Sequence, residues 1–180
     1  MSANCPDYNC DDLQEHERVN CEAYLQGGND AMVILACGHG ISDPSNATQI
    51  NNAISAGTAV VLNGLTVSIP AASPVKVPNP IAGLSDIVVT YNRTITIKDF
   101  NMTDGNIDMW NGLLSKRSIA GAIVRNNQTS KVSWINSSIT FEGSPINPES
   151  VAEFQRFEIT GNWINEDAPN MYTEPTGVFA

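Results

Sequence analysis

Six consecutive apolar residues, Met32-Val33-Ile34-Leu35-Ala36-Cys37, constrain the fold of this chain more than any other stretch. The run has the length of a strand, and with no polar side chain on either face it predicts a central strand covered on both sides. Gly38 and Gly40 break it. Asp43-Pro44 then offers an N-cap followed by proline at the first helical position, ahead of Ala47, Ile50, Ala53 and Ile54, which predicts a short helix ending near Gly57.

The segments that follow are read as β. Thr58 to Ile69 suggests two β segments around Asn63-Gly64, a dipeptide whose tolerance of positive φ suits a tight hairpin. Pro70, Pro74, Pro78 and Pro80 make the next stretch extended and poor in donors, fit for a sheet edge, a crossing loop or an interface loop. From Ile87 to Ile97 apolar and polar residues alternate closely enough to predict one long half-buried strand. Thr103 or Asp104 can cap a helix with Ile107, Trp110 and Leu114 on one stripe and Leu113 widening it, which predicts a helix lying on a sheet face. Ile119–Val124, Lys131–Phe141 and Val151–Trp163 complete the strands, with turns at Asn126-Asn127 and around Gly143-Ser144-Pro145. The expected fold is mainly β, a sandwich or half-barrel with one or two flanking helices. Residues 29–165 form its body, between an N-terminal arm over 1–28 and an extended C-terminal tail over 166–180 that orders only against a partner.

Charge narrows the function. Nine Lys and Arg against nineteen Asp and Glu give a net charge of −10, so there is no basic footprint for gripping phosphates and no sequence-specific nucleic-acid binding is expected. An acidic surface can still line a channel through which a polyanion slides without sticking. No stretch approaches the roughly 20 apolar residues of a membrane span. The polar opening Met1-Ser2-Ala3-Asn4-Cys5 lacks the charged-then-apolar order of a signal peptide. The chain is therefore expected to stay where it is made, away from membranes. The sequons at Asn46, Asn92, Asn101, Asn127 and Asn136 then read as a by-product of an Asn- and Thr-rich β sequence.

The arm carries the one constellation with metal-ligand character. Cys5, Cys10, His16 and Cys21 supply three thiolates and an imidazole within seventeen residues. A tetrahedral structural zinc suits that donor set, and a segment this polar cannot fold by burial alone. The order resembles a zinc knuckle with widened spacings. Reduced cysteines, or a disulfide between two of them, account for the same residues. The acidic neighbours Asp7, Asp11, Asp12, Glu15, Glu17 and Glu22 argue against a knuckle that binds nucleic acid, so any zinc here is structural and none is required by the fold.

Other chemistry is thin. Cys37 and His39 lie two residues apart on a glycine-rich turn, an arrangement that could pair a nucleophile with a base, but a cysteine closing an apolar run reads first as a small core residue. Glu142, Glu149, Glu153 and Glu158 read as a solvated strand face or as inter-subunit partners for Arg125, Lys131 and Arg156. Trp110, Trp134, Phe141, Phe154, Phe157 and Trp163 would make a sugar-binding platform only if exposed together, and core packing is their ordinary role. No catalytic residue is assigned, and an enzyme is not expected.

The element order, with an extended acidic arm, paired β segments, a proline-bearing loop, a long strand, a covering helix and closing strands, resembles phage tail-tube proteins and the related ring or connector proteins of virions. Ile139-Thr140-Phe141-Glu142-Gly143-Ser144-Pro145 and Glu153-Phe154-Gln155-Arg156-Phe157-Glu158-Ile159 resemble their final strands. The opening from Cys5-Pro6-Asp7-Tyr8-Asn9-Cys10 through Cys21 to Gly27-Gly28 is similar to structural proteins of phages of Bacteroides-like hosts, including the crAss-like group. The resemblance implies a virion subunit, assembled in the host cytoplasm, that forms a homo-oligomeric ring around a DNA conduit and meets neighbouring virion proteins. Capsid decoration is a close variant. A carbohydrate-binding β-sandwich, or a hydrolase built on Cys37 and His39, are the readings from other classes.

Overall fold

In the computed structural model, residues 28–36, 41–81, 83–116, 118–148 and 153–179 are described. The apolar run forms strand β1, Asn29–Leu35, and every residue from Ala31 to Leu35 is buried. Its two faces enter two different cores. Met32 and Ile34 point into the larger one, while Ala31, Val33 and Leu35 point into the smaller. This is the doubly covered central strand that an uninterrupted apolar run predicts.

The remaining elements are α1 (Ala47–Ser55), β2 (Ala59–Ser68), β3 (Ser73–Val77), β4 (Ile87–Asp99), α2 (Asp104–Lys116), β5 (Ser118–Ile119), β6 (Gly121–Asn126), β7 (Lys131–Ile135), β8 (Ile139–Ile146), β9 (Arg156–Ile164) and β10 (Asn170–Thr173). The strands join in one antiparallel sheet in the order β10-β7-β6-β1-β2-β4-β9-β8-β5, with β3 paired to β4 outside that path. The sheet curls so that side chains of β1, β2 and β6 meet those of β4, β8 and β9 in the larger core. α2 covers this core, and Trp110, wholly buried, stacks on Phe157 at 6.1 Å. On the opposite face of β1, β6 and β7, α1 supplies Ile50 and the chain's C-terminal segment supplies Val178 and Phe179. The fold is thus mainly β with two flanking helices, as expected.

Several local expectations give way to the tertiary structure. Asn63-Gly64 makes no hairpin; β2 runs straight through it. A two-residue hairpin turn of type I′ needs positive φ at both positions, and here only Gly64 has it, at +73°. The result is a bulge in the pairing with β1, which resumes at Asn29 opposite Val67, while Leu65–Ser68 pairs with β4 along the other edge. Asp43 does not cap α1. Asn46 does, its side chain accepting the Gln49 N–H at 3.2 Å, while Asp43 closes a turn by accepting the Ser45 N–H at 2.9 Å. The Ser45 hydroxyl, which donates to the same carboxylate oxygen, and then the Ser45 N–H stabilise the ionised form and hold the Asp43 carboxyl below its ordinary pKa.

Lys131–Phe141 is two strands, broken at 136–138, and the third predicted closing strand begins at Arg156. The Gly143-Ser144-Pro145 stretch is strand, not turn, paired with Pro145 opposite Phe157. A Cβ on Gly143 would lie 2.6 Å from the Glu158 carbonyl oxygen, so this glycine serves close strand approach. The reading of 166–180 as a segment that orders only against a partner fails as well. Residues 170–173 pair with β7 as β10, and Val178 and Phe179 are buried against the chain's own sheet. Their apolar side chains close a face of β6 and β7 that would otherwise be wet.

Candidate assembly surface

β4 is thirteen residues long, and its two halves have different surroundings. Arg93–Asp99 lies inside the sheet, paired with β9 along its length and with β2 from Thr96, and Ile95, Ile97 and Asp99 are buried. Over Ile87–Tyr91 only β3 accompanies it. The two form a ribbon that extends beyond β2 and β9, with residues 78–81 and 83–86 lying outside its strands. The register shifts there, since Val75 pairs with Thr90 but Lys76 pairs with Val88, which leaves Val89 as a bulge.

The ribbon is apolar where it is exposed. Val77, Ile81, Leu84, Ile87, Val88 and Val89 are six of the eleven large hydrophobics exposed among the described residues, at 42–62% of their surface. A two-stranded hairpin without a covering layer is at best marginal in water. Three consecutive exposed aliphatic residues on one strand mean that neither face of the ribbon is covered by its own chain. The ribbon's base, by contrast, is clamped. Arg93 donates through Nε to the Asn165 carbonyl at 3.3 Å and through Nη2 to the Glu166 carbonyl at 3.2 Å, and its guanidinium sits 5.6 Å from the Tyr91 ring centre. An open groove of about 840 Å³ lies beside this base, lined by Asn92, Arg93, Ser137, Ser138, Thr140, Asn162, Trp163 and Ile164. Its lining mixes hydroxyl- and amide-bearing residues with Arg93, Trp163 and the exposed Ile164.

The residues singled out from sequence fare differently. Cys5, Cys10, His16 and Cys21 lie outside the described residues, as do Cys37 and His39. Among the described residues no three His, Cys, Asp or Glu side chains gather as metal ligands would. The aromatics are dispersed into packing. Trp110, Phe141, Phe157 and Trp163 belong to the larger core, Trp134 meets Tyr172 edge-on at 5.7 Å, and Phe154 alone is largely exposed. They form no shared platform.

Two of the arginines find their carboxylates within the chain. Arg156 donates through Nε to Glu158 at 3.0 Å. Arg125 forms a two-pronged pair with Asp30, at 2.8 and 2.6 Å, and its third nitrogen donates to the Phe179 carbonyl at 3.1 Å. The Asp30 bonds push the Arg125 pKa up, against the opposing effect of burial. No helix among the described residues is long and apolar enough to cross a membrane.

Sequence reading missed the ribbon because the alternation over 87–97 resembles that of any half-buried strand. The legible signal was Ile87-Val88-Val89, three aliphatics in succession beside a proline-rich stretch that also holds Ile81 and Leu84. No protein-family model and no curated protein matches the chain.

Proposed function

We propose that this chain is a structural subunit of a virion that oligomerises, of the tail-tube or head–tail ring kind, and that it works by assembly and not by turnover of a substrate. The projecting apolar ribbon carries the reading. Six aliphatic residues at these exposures present on the order of 500 Å² of surface, at the upper end of what the largest apolar patch of a soluble monomer reaches, and such patches are often functional. That is more than half of the roughly 800 Å² each partner buries in a standard interface. A subunit designed to stay alone gains nothing from such a ribbon and risks aggregation through it. The net charge of −10 suits an assembly whose lumen passes nucleic acid without holding it.

Light scattering on the size-exclusion eluate of the native chain, over a hundredfold range of concentration, tests this. A discrete oligomer or a polymer is the expected result. A strict monomer at every concentration would sink the proposal.

A further inference from the structure

The large hydrophobic residues left exposed follow the strand axis. β4 runs from the ribbon to Asp99, and Asp99 pairs with Leu65 of β2 and with Phe157 of β9. The six ribbon residues lie at one end of this line, and Ile164, opposite Asn92, adjoins them at the base. Three more lie at the other end, about 40 Å away at roughly 3.3 Å per residue of strand. Phe100 directly follows β4 and is 44% exposed, and Phe154 stands two residues before β9 and is 78% exposed. Val60 is on the part of β2 that runs on past Asp99. Of the exposed large hydrophobics among the described residues, only Met171 stands apart from both ends.

Charge also distinguishes the two ends. Residues 73–93 hold two cations, Lys76 and Arg93, against one anion, Asp86, so the ribbon and its base are slightly positive on a chain of net charge −10. At the far end, residues 100–108 hold Asp104 and Asp108, both exposed, and no cation, while Glu153 and Arg156 beside Phe154 offset each other. Two ribbons that met each other would bring like charge together and leave Phe100 and Phe154 in water. A ribbon seated on the far end of another copy meets opposite charge, and one repeated contact covers both apolar patches. Complementarity of this kind selects the partner surface more than it adds affinity.

We propose that the β3–β4 ribbon of one copy docks on the Phe100–Phe154 end of the next. The inference rests on the assembly reading above and names the partner, a second copy, and the surfaces that meet. The exposed hydrophobic residues of the two ends present roughly 800 Å² between them, against about 1,600 Å² buried in total by a standard interface, of which a little over half is apolar. Because the two surfaces differ, the contact is head to tail, and it generates a ring where the rotation closes and a filament where it does not.

The test uses the full chain, a ribbon variant Val88→Gln with Val89→Gln, and a far-end variant Phe100→Gln with Phe154→Gln, all sized by light scattering over a concentration series. These changes remove apolar surface without altering charge. Each variant alone is expected to raise the concentration needed for assembly at least tenfold. Mixed in equal amounts, the two form a heterodimer that grows no further, because a single intact ribbon and a single intact far end remain to meet. Assembly that the far-end change leaves untouched overturns the docking assignment while leaving the assembling subunit standing, and a closed dimer dissolved by the ribbon change alone shows that ribbons pair with each other and overturns it too. A monomeric wild type overturns both readings. Should circular dichroism show either variant unfolded, hydrogen exchange on the unmodified chain decides. Slowing of amides in both 87–89 and 100–103 upon assembly supports the docking, and unchanged exchange in either overturns it.

Discussion

At the scale of single residues, the buried Asp99 shows how one polar group can fix a helix on a sheet. Only 4% exposed, it accepts the Trp110 indole N–H at 2.8 Å through one oxygen and the Asn101 N–H at 2.9 Å through the other. Trp110→Phe keeps a ring against Phe157 but strands one carboxylate oxygen in the core. An unmatched buried acceptor of this kind costs about 2–3 kcal/mol, which urea unfolding followed by fluorescence of the remaining tryptophans should show. Glycines offer a paired comparison. A Cβ on Gly161 would fall 2.6 Å from Ile95, 2.7 Å from Phe141 and 2.8 Å from Ile139, whereas one on Gly64 meets nothing within 4 Å. Gly161→Ala is expected to cost roughly 1–3 kcal/mol through overpacking. Gly64→Ala is expected to cost about 1–2 kcal/mol through its positive φ alone. Thermal melts of the two variants check both, and asparagine separates them, since Gly64→Asn recovers part of the loss by tolerating positive φ while Gly161→Asn worsens the clash.

Among elements, the C-terminal segment is held by β10 pairing, by Val178 and Phe179, and by the Arg125 clamp. Arg125 is the hub, because its guanidinium ties Asp30 of β1 to the Phe179 carbonyl and lies 5.5 Å from the Phe179 ring centre. Its raised pKa means the stabilisation is complete below the ordinary arginine value and is lost only as pH rises through a still higher one. The arginine therefore stays charged across all working conditions. Arg125→Ala is expected to cost about 2 kcal/mol, since two-pronged carboxylate bonds and a buried carbonyl partner go together. Hydrogen exchange should quicken at Met171–Thr173 while amides of Ile97 and Ile159 keep their protection. Equal quickening everywhere would mean that the clamp supports the whole fold and not the segment.

For the whole molecule, charge opposes the proposed assembly. Copies carrying −10 each repel at long range, and salt shortens that reach from about 10 Å at 0.1 M to about 3 Å at 1 M. The proposed contact through exposed aliphatic residues such as Ile87, Val88 and Val89 loses nothing to screening. The molar-mass distribution should therefore shift upward as salt rises, which light scattering across a salt series would record. A downward shift would show that ion pairs hold the subunits together. Much of the fold was legible beforehand. The apolar run of β1, the Thr103 cap and Trp110 stripe of α2, and the Phe157, Ile159 and Trp163 face of β9 were each written in a local period. The candidate surface was half legible: the proline-rich edge character of β3 was plain, but the exposure of Ile87–Val89 was not, because alternation does not say how far a neighbouring strand extends.

The sequence by itself determined the class of fold, the central strand, both helices and the turn after Asn126, all of which depend on side-chain periodicity, capping or turn chemistry within a few residues. Only the tertiary structure decided that Asn63-Gly64 is a bulge, that Gly143–Pro145 is strand, that the C-terminal segment folds back as β10, and that half of β4 leaves the sheet as a ribbon. In each case the outcome depends on which distant strand is available for backbone pairing, and no local pattern of residues encodes that.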